Sequence, residues 1–137
     1  MANRHGGITV FICNWIPAAG ADNAGVVEAQ YPPSTTIIPI HCTGRLTSGI
    51  LLEAFRSADA VLVVGCAHDE CHYVAGSRRC EDIIDETRDL LPMVGIDAGR
   101  LGFVLMSESN GDAFADTVSR FAAQVEKTGE PPAGRAE

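Results

Sequence analysis

Val61-Leu62-Val63-Val64-Gly65-Cys66 is a short aliphatic run that stops on a cysteine. The same arrangement occurs twice upstream, where Val10-Phe11-Ile12 meets Cys13 and Ile37-Ile38-Pro39-Ile40-His41 meets Cys42. Short runs rich in aliphatic and β-branched residues read as strands. They predict strands over residues 8–12, 36–41, 60–64 and, further on, 101–106. Between them the spacing turns helical. Ile50, Leu51, Ala54, Phe55 and Ala58 follow Thr47 and Ser48 as caps, and Ile83, Ile84, Thr87, Leu90, Leu91 and Val94 form a second stripe ending near Pro92 and Gly95. A last helix, capped by Asn110, presents Phe114, Thr117, Val118, Phe121 and Val125. The first crossover, over residues 20–30, has a thinner apolar pattern.

Alternating strands and helices predict an α/β fold: one domain, an open parallel sheet of about four strands, with helices on both faces. Right-handed crossovers leave few strand orders. Pro39 narrows them, because proline cannot donate to a ladder and belongs on an edge strand. The flavodoxin-like, Rossmann-like order 2-1-3-4 puts the second strand there and the switch point between the first and third strands. Ligands bind outside the carboxyl ends of such strands, so Cys13, Cys42 and Cys66 are expected on one rim. Cys71 joins them from the segment Cys66-Ala67-His68-Asp69-Glu70-Cys71-His72, inside a connection expected to run to about Arg79. That is longer than the usual two to six residues and points to function. Residues 1–127 are read as the domain and 128–137 as a flexible tail, since Gly-Glu-Pro-Pro-Ala-Gly-Arg-Ala-Glu has little to bury.

The chain's 137 residues carry a net charge of −8, and the basic residues form no patch. Nucleic acid and anionic membrane are thereby disfavoured as partners. No apolar run is long enough for a membrane span, and the start lacks a secretory pattern, so a cytoplasmic location is expected. In a reducing compartment, cysteines are ligands, catalytic groups or buried thiols more often than disulfides. Five cysteines, an odd number, also argue against a disulfide framework.

Four converging thiolates match either a [2Fe–2S] cluster or tetrahedral zinc. Structural zinc favours C-x2-C pairs, and none is present; Cys66 and Cys71 form the C-x4-C spacing also found in plant-type ferredoxins, without their following C-x2-C. The alternative is four buried core thiols. Cys80 is read that way, because it lies on the apolar stripe of its helix. His41, His68 and His72 are candidates for mixed ligation or for hydrogen bonds to sulfur, His72 above the others for the latter. Arg45 is placed to offset thiolate charge or to dock a partner, and Trp15 either joins the core or excludes water from the site. Neither a nucleotide phosphate loop nor a G-x-S-x-G nucleophile is present.

In order, Phe11-Ile12-Cys13-Asn14-Trp15, Ala19-Gly20-Ala21-Asp22, Tyr31-Pro32-Pro33, Cys42-Thr43-Gly44-Arg45 and Gly65-Cys66-x4-Cys71-His72-Tyr73-x2-Gly76 resemble the delta subunit family of methyl-viologen-reducing (F420-non-reducing) hydrogenase, its small iron–sulfur subunit. Gly95-Ile96-Asp97, Arg100-Leu101 and Ser107-Glu108-Ser109 continue the likeness. The resemblance implies a non-catalytic [2Fe–2S] electron-transfer subunit held by Cys13, Cys42, Cys66 and Cys71. Its implied partners are a hydrogenase or dehydrogenase and a heterodisulfide-reductase-like flavoprotein. One departure stands out: the family's Cys-Asn-Trp-Cys is Cys13-Asn14-Trp15-Ile16 here, and Ile16 cannot bind iron. Either four thiolates suffice, or His72 or Cys80 substitutes, or the cluster is altered or absent. The other readings are a zinc-bearing or cluster-less structural adaptor, and a thiol-redox protein using Cys66 and Cys71.

Overall fold

A computed structural model describes residues 7–15, 17, 19, 22, 24–25, 34–67, 75–107 and 111–127. Four strands, β1 (Ile8–Cys13), β2 (Thr35–Ile40), β3 (Ala60–Cys66) and β4 (Leu101–Met106), form a single parallel sheet in the order β2-β1-β3-β4. The sequence expectation of an open α/β sheet with β2 at an edge therefore holds. Pro39 sits on that edge strand, opposite Ile12. Every residue of β1 and β3 is buried, whereas β2 alternates between half-buried and exposed positions. This is the contrast expected between central and edge strands of a covered parallel sheet.

Helices α1 (Ser48–Ala54), α2 (Gly76–Leu90) and α3 (Gly111–Glu126) complete the layers. On one face, Val10, Ile12, Leu62 and Val64 pack with Phe114, Val118, Phe121 and Val125 of α3. Ala24 joins this core, and Pro17, Ala19, Asp22, Ala24 and Gly25 are helical, which extends the weak pattern of the first crossover. On the opposite face, Phe11, Val61 and Val63 pack with Leu51 and Phe55 beside α1 and with Cys80 and Ile84 of α2. Burying a side chain of the size of Phe114 or Leu51 contributes about 1.5–3 kcal/mol. The two clusters fix the strand ends that carry the cysteines.

The ladder lengthens two strands beyond their aliphatic runs. β3 continues to Cys66 because Gly65 and Cys66 pair with Leu105 and Met106, and β1 continues to Cys13 opposite Ile40. α2 begins at Gly76, so the connection after β3 ends earlier than Arg79; its first turns are too polar to show helical periodicity. The stripe also ends early. The chain tightens to a 3-10 turn over Leu91–Val94, with Pro92 inside it and Gly95 closing it at φ 81°. Val94 consequently turns outward and is 59% exposed. Ile50 lies at the start of a seven-residue helix and is 43% exposed rather than core. Thr47 caps that helix, its hydroxyl accepting the Ile50 N–H at 3.2 Å. Asn110 and residues 128–137 lie outside the described residues. None of the described helices is long and apolar enough to cross a membrane.

Candidate metal centre

Because β1 and β3 are neighbours, their terminal cysteines meet. The Cys66 thiol donates to Cys13 Sγ at 3.5 Å, and the Cys13 thiol faces the His41 carbonyl at 3.9 Å. Both residues are buried, as is Cys42. Cys42 follows β2 and caps a single 3-10 turn over Thr43–Arg45, its sulfur accepting the Gly44 N–H at 3.4 Å. An N–H donor aimed at sulfur stabilises the thiolate form, which is the ligand form. Three of the four expected sulfurs are thus described at one rim. Cys71, with His68 and His72, lies outside the described residues, as does Ile16.

Turning the thiols of this rim into thiolates needs a counter-charge. Burial pushes the Cys13 thiol from 9.0 up to about 12; the Trp15 backbone opposes this, while the hydrogen bond to Cys66 and the charges of Cys66 and Cys42 add to it. Without a counter-charge the buried thiols repel one another as thiolates, and a metal removes that repulsion by binding them deprotonated. Geometry agrees for the described pair. Two thiolates held tetrahedrally at about 2.3 Å from one metal lie about 3.8 Å apart, so a 3.5 Å pair needs an adjustment of only a few tenths of an ångström. Among the described residues, no set of three His, Cys, Asp or Glu side chains is already arranged to hold a metal.

Beneath Cys42 lies a feature the sequence reading missed. Thr43 is only 1% exposed, and its hydroxyl hydrogen-bonds the Cys80 thiol. A methyl group added at Gly65 would sit 3.1 Å from that hydroxyl. One added at Gly44 would sit 2.8 Å from the Gly76 Cα, closer than real contacts allow. The Cys42 turn is therefore wedged between the end of β3, one residue before Cys66, and the start of α2. The small residues at 44, 65 and 76 were the available signal. Cys80 is fully buried in the core cluster, as its place on the apolar stripe implied. Burial raises its thiol from 9.0 to about 12, opposed by the Thr43 hydroxyl and assisted by the charges of Cys42 and Glu81. Trp15 is 41% exposed and so does not join the core, and His41 and Arg45 stand exposed at the rim.

Comparisons with known proteins identify relatives of this chain. The family model described as methyl-viologen-reducing hydrogenase, delta subunit, matches residues 8–129. The vhc iron-sulfur subunit of the F420-non-reducing hydrogenase of Methanococcus voltae is 40% identical over 108 residues, covering 78% of this chain and 75% of that protein. The corresponding vhu iron-sulfur subunit of Methanocaldococcus jannaschii is 36% identical over 126 residues, 91% of this chain and 94% of that protein. A subunit of the ferredoxin:CoB-CoM heterodisulfide reductase of Methanosarcina mazei is 33% identical over 123 residues, 89% of this chain but 16% of that protein. The chain thus spans about a sixth of the length of the latter relative. It belongs to the methyl-viologen-reducing hydrogenase delta subunit family.

Proposed function

We propose that this chain is an electron-transfer subunit carrying a [2Fe–2S] cluster on the thiolates of Cys13, Cys42, Cys66 and Cys71. It relays electrons between a hydrogenase or dehydrogenase module and a heterodisulfide-reductase-like flavoprotein. The observation that carries this reading is the convergence of Cys13, Cys66 and Cys42 on one buried rim, with two sulfurs 3.5 Å apart. The names of the relatives support it. Several are iron–sulfur subunits of a hydrogenase, and in Methanosarcina mazei a matching segment forms 16% of a heterodisulfide reductase subunit. A domain joined covalently to a larger protein in one lineage is a natural separate partner of its counterpart in another.

The cluster, when bound, supplies one-electron chemistry. The chain's own residues do the rest. Cys13 and Cys66 present adjacent sulfurs from two rigid central strands, and the Gly44 N–H offers a hydrogen bond to Cys42 that favours the charged sulfur. The apolar packing behind these residues limits water and positions the thiols before anything binds. Disulfide exchange by Cys66 and Cys71 is less well supported, because an exchange thiol must be reached from solution and Cys66 is 1% exposed.

Replacing Cys13 or Cys42 by serine separates these readings. In anoxically purified protein reduced with dithionite, either change should abolish or distort the electron paramagnetic resonance signal of the wild type. A Cys66/Cys71 exchange protein would instead keep its disulfide-exchange activity in both variants and show no such signal in the wild type.

A further inference from the structure

Beside the thiol rim, a cleft of about 410 Å³ is lined by His41, Cys42, Gly44, Arg45, Ala75, Gly76 and Arg79. Among the described residues, two guanidinium groups and no acidic side chain line it, on a chain whose net charge is −8. Arg45 and Arg79 are both exposed, and neither forms an ion pair with a described residue. They reach the cleft from different elements, Arg45 from the turn after β2 and Arg79 from the first turns of α2. The start of α2, where Ala75 provides no side-chain cap, adds the positive end of a helix dipole.

We infer that this cleft docks an acidic segment of the protein that exchanges electrons with this chain, seating a carboxylate between Arg45 and Arg79 against the wall formed by Cys42. The inference rests on the electron-transfer reading and adds to it a docking face and the partner's charge. Charge complementarity selects this occupant. A net charge of −8 repels an acidic surface in general, and the two arginines of the cleft offset that repulsion beside Cys42. Arginine suits the task because its planar fork binds carboxylates in bidentate fashion. Electron-transfer encounters also use small interfaces, for which a few well-placed charges set both orientation and association rate.

Fluorescence anisotropy tests this on the full, anoxically purified chain, with dye-labelled hexaglutamate as probe and dye-labelled hexaglutamine as control. Hexaglutamate should bind at low ionic strength and weaken as salt is added, whereas hexaglutamine should not bind. Affinity should fall about tenfold or more when Arg45→Gln and Arg79→Gln are combined, and binding should vanish with Arg45→Glu plus Arg79→Glu. Thermal unfolding of the glutamine pair, whose side chains are exposed, confirms that the variant is folded. No hexaglutamate binding, or equal binding by wild type and glutamine pair, would overturn the inference. So would displacement of the peptide by equimolar inorganic phosphate, which would mark a small-anion site. Iron content measured on the same preparation keeps the two readings apart. Peptide binding by iron-free protein would sink the cluster and leave the docking face standing; iron without peptide binding would do the reverse.

Discussion

Thr43 shows how much of this site depends on one side chain that is not a ligand. It is buried, polar and bonded through its hydroxyl to Cys80, and it touches the strand end that carries Cys66. Thr43→Val keeps the shape but leaves the Cys80 thiol without its partner, at a cost of about 1 kcal/mol in denaturant unfolding; Thr43→Ser should restore most of it. Cys80 itself has a pH signature. Its folded thiol is raised from 9.0 to about 12, so between those values the unfolded chain has lost a proton that the folded chain keeps. Stability from this group is therefore complete below about pH 9 and falls as pH rises, by about 1.4 kcal/mol per unit. Unfolding midpoints measured from pH 8.5 to 10.5 should show a shallower decline in Cys80→Ala than in the wild type. Such features were not legible beforehand, because a threonine between a cysteine and a glycine gives no hint that its hydroxyl will be buried. The strand-end cysteines were legible, since strands end within a residue or two of where the aliphatic runs do.

At the scale of elements, the site is a junction between the turn after β2, the end of β3 and the start of α2. Gly44 is its tightest point, with the Gly76 backbone 2.8 Å from where a methyl group would stand. Gly44→Ala should force the turn and α2 apart, destabilise the fold by about 1–3 kcal/mol and lower metal content, because Cys42 moves with the turn. Alanine at Gly25, which meets nothing within 4 Å, serves as the control. Pro39 made the edge strand readable, and with right-handed crossovers it left the observed order β2-β1-β3-β4. The start of α2 was unreadable because periodicity needs apolar residues, and Ser77, Arg78 and Arg79 supply none. Val94 and Ile50 misled for a related reason. Spacing marks a helical face, but it does not say where the helix tightens to a 3-10 turn or how short it is.

For the molecule as a whole, the sheet brings residues 53 positions apart in sequence to sulfur–sulfur contact, and two apolar layers hold them there. Cys13, Cys42 and Cys66 come together at this rim, while Ile16 and Cys71 lie outside the described residues. Charge is distributed to match, with acidic residues such as Glu81, Asp82 and Asp85 exposed along α2 while arginines border the rim. The central claim is the cluster, and it is tested most directly by the iron, labile sulfide and zinc content of protein purified without exposure to oxygen. The account predicts about two irons and two sulfides per chain. Zinc without iron, or no metal at all, would contradict it.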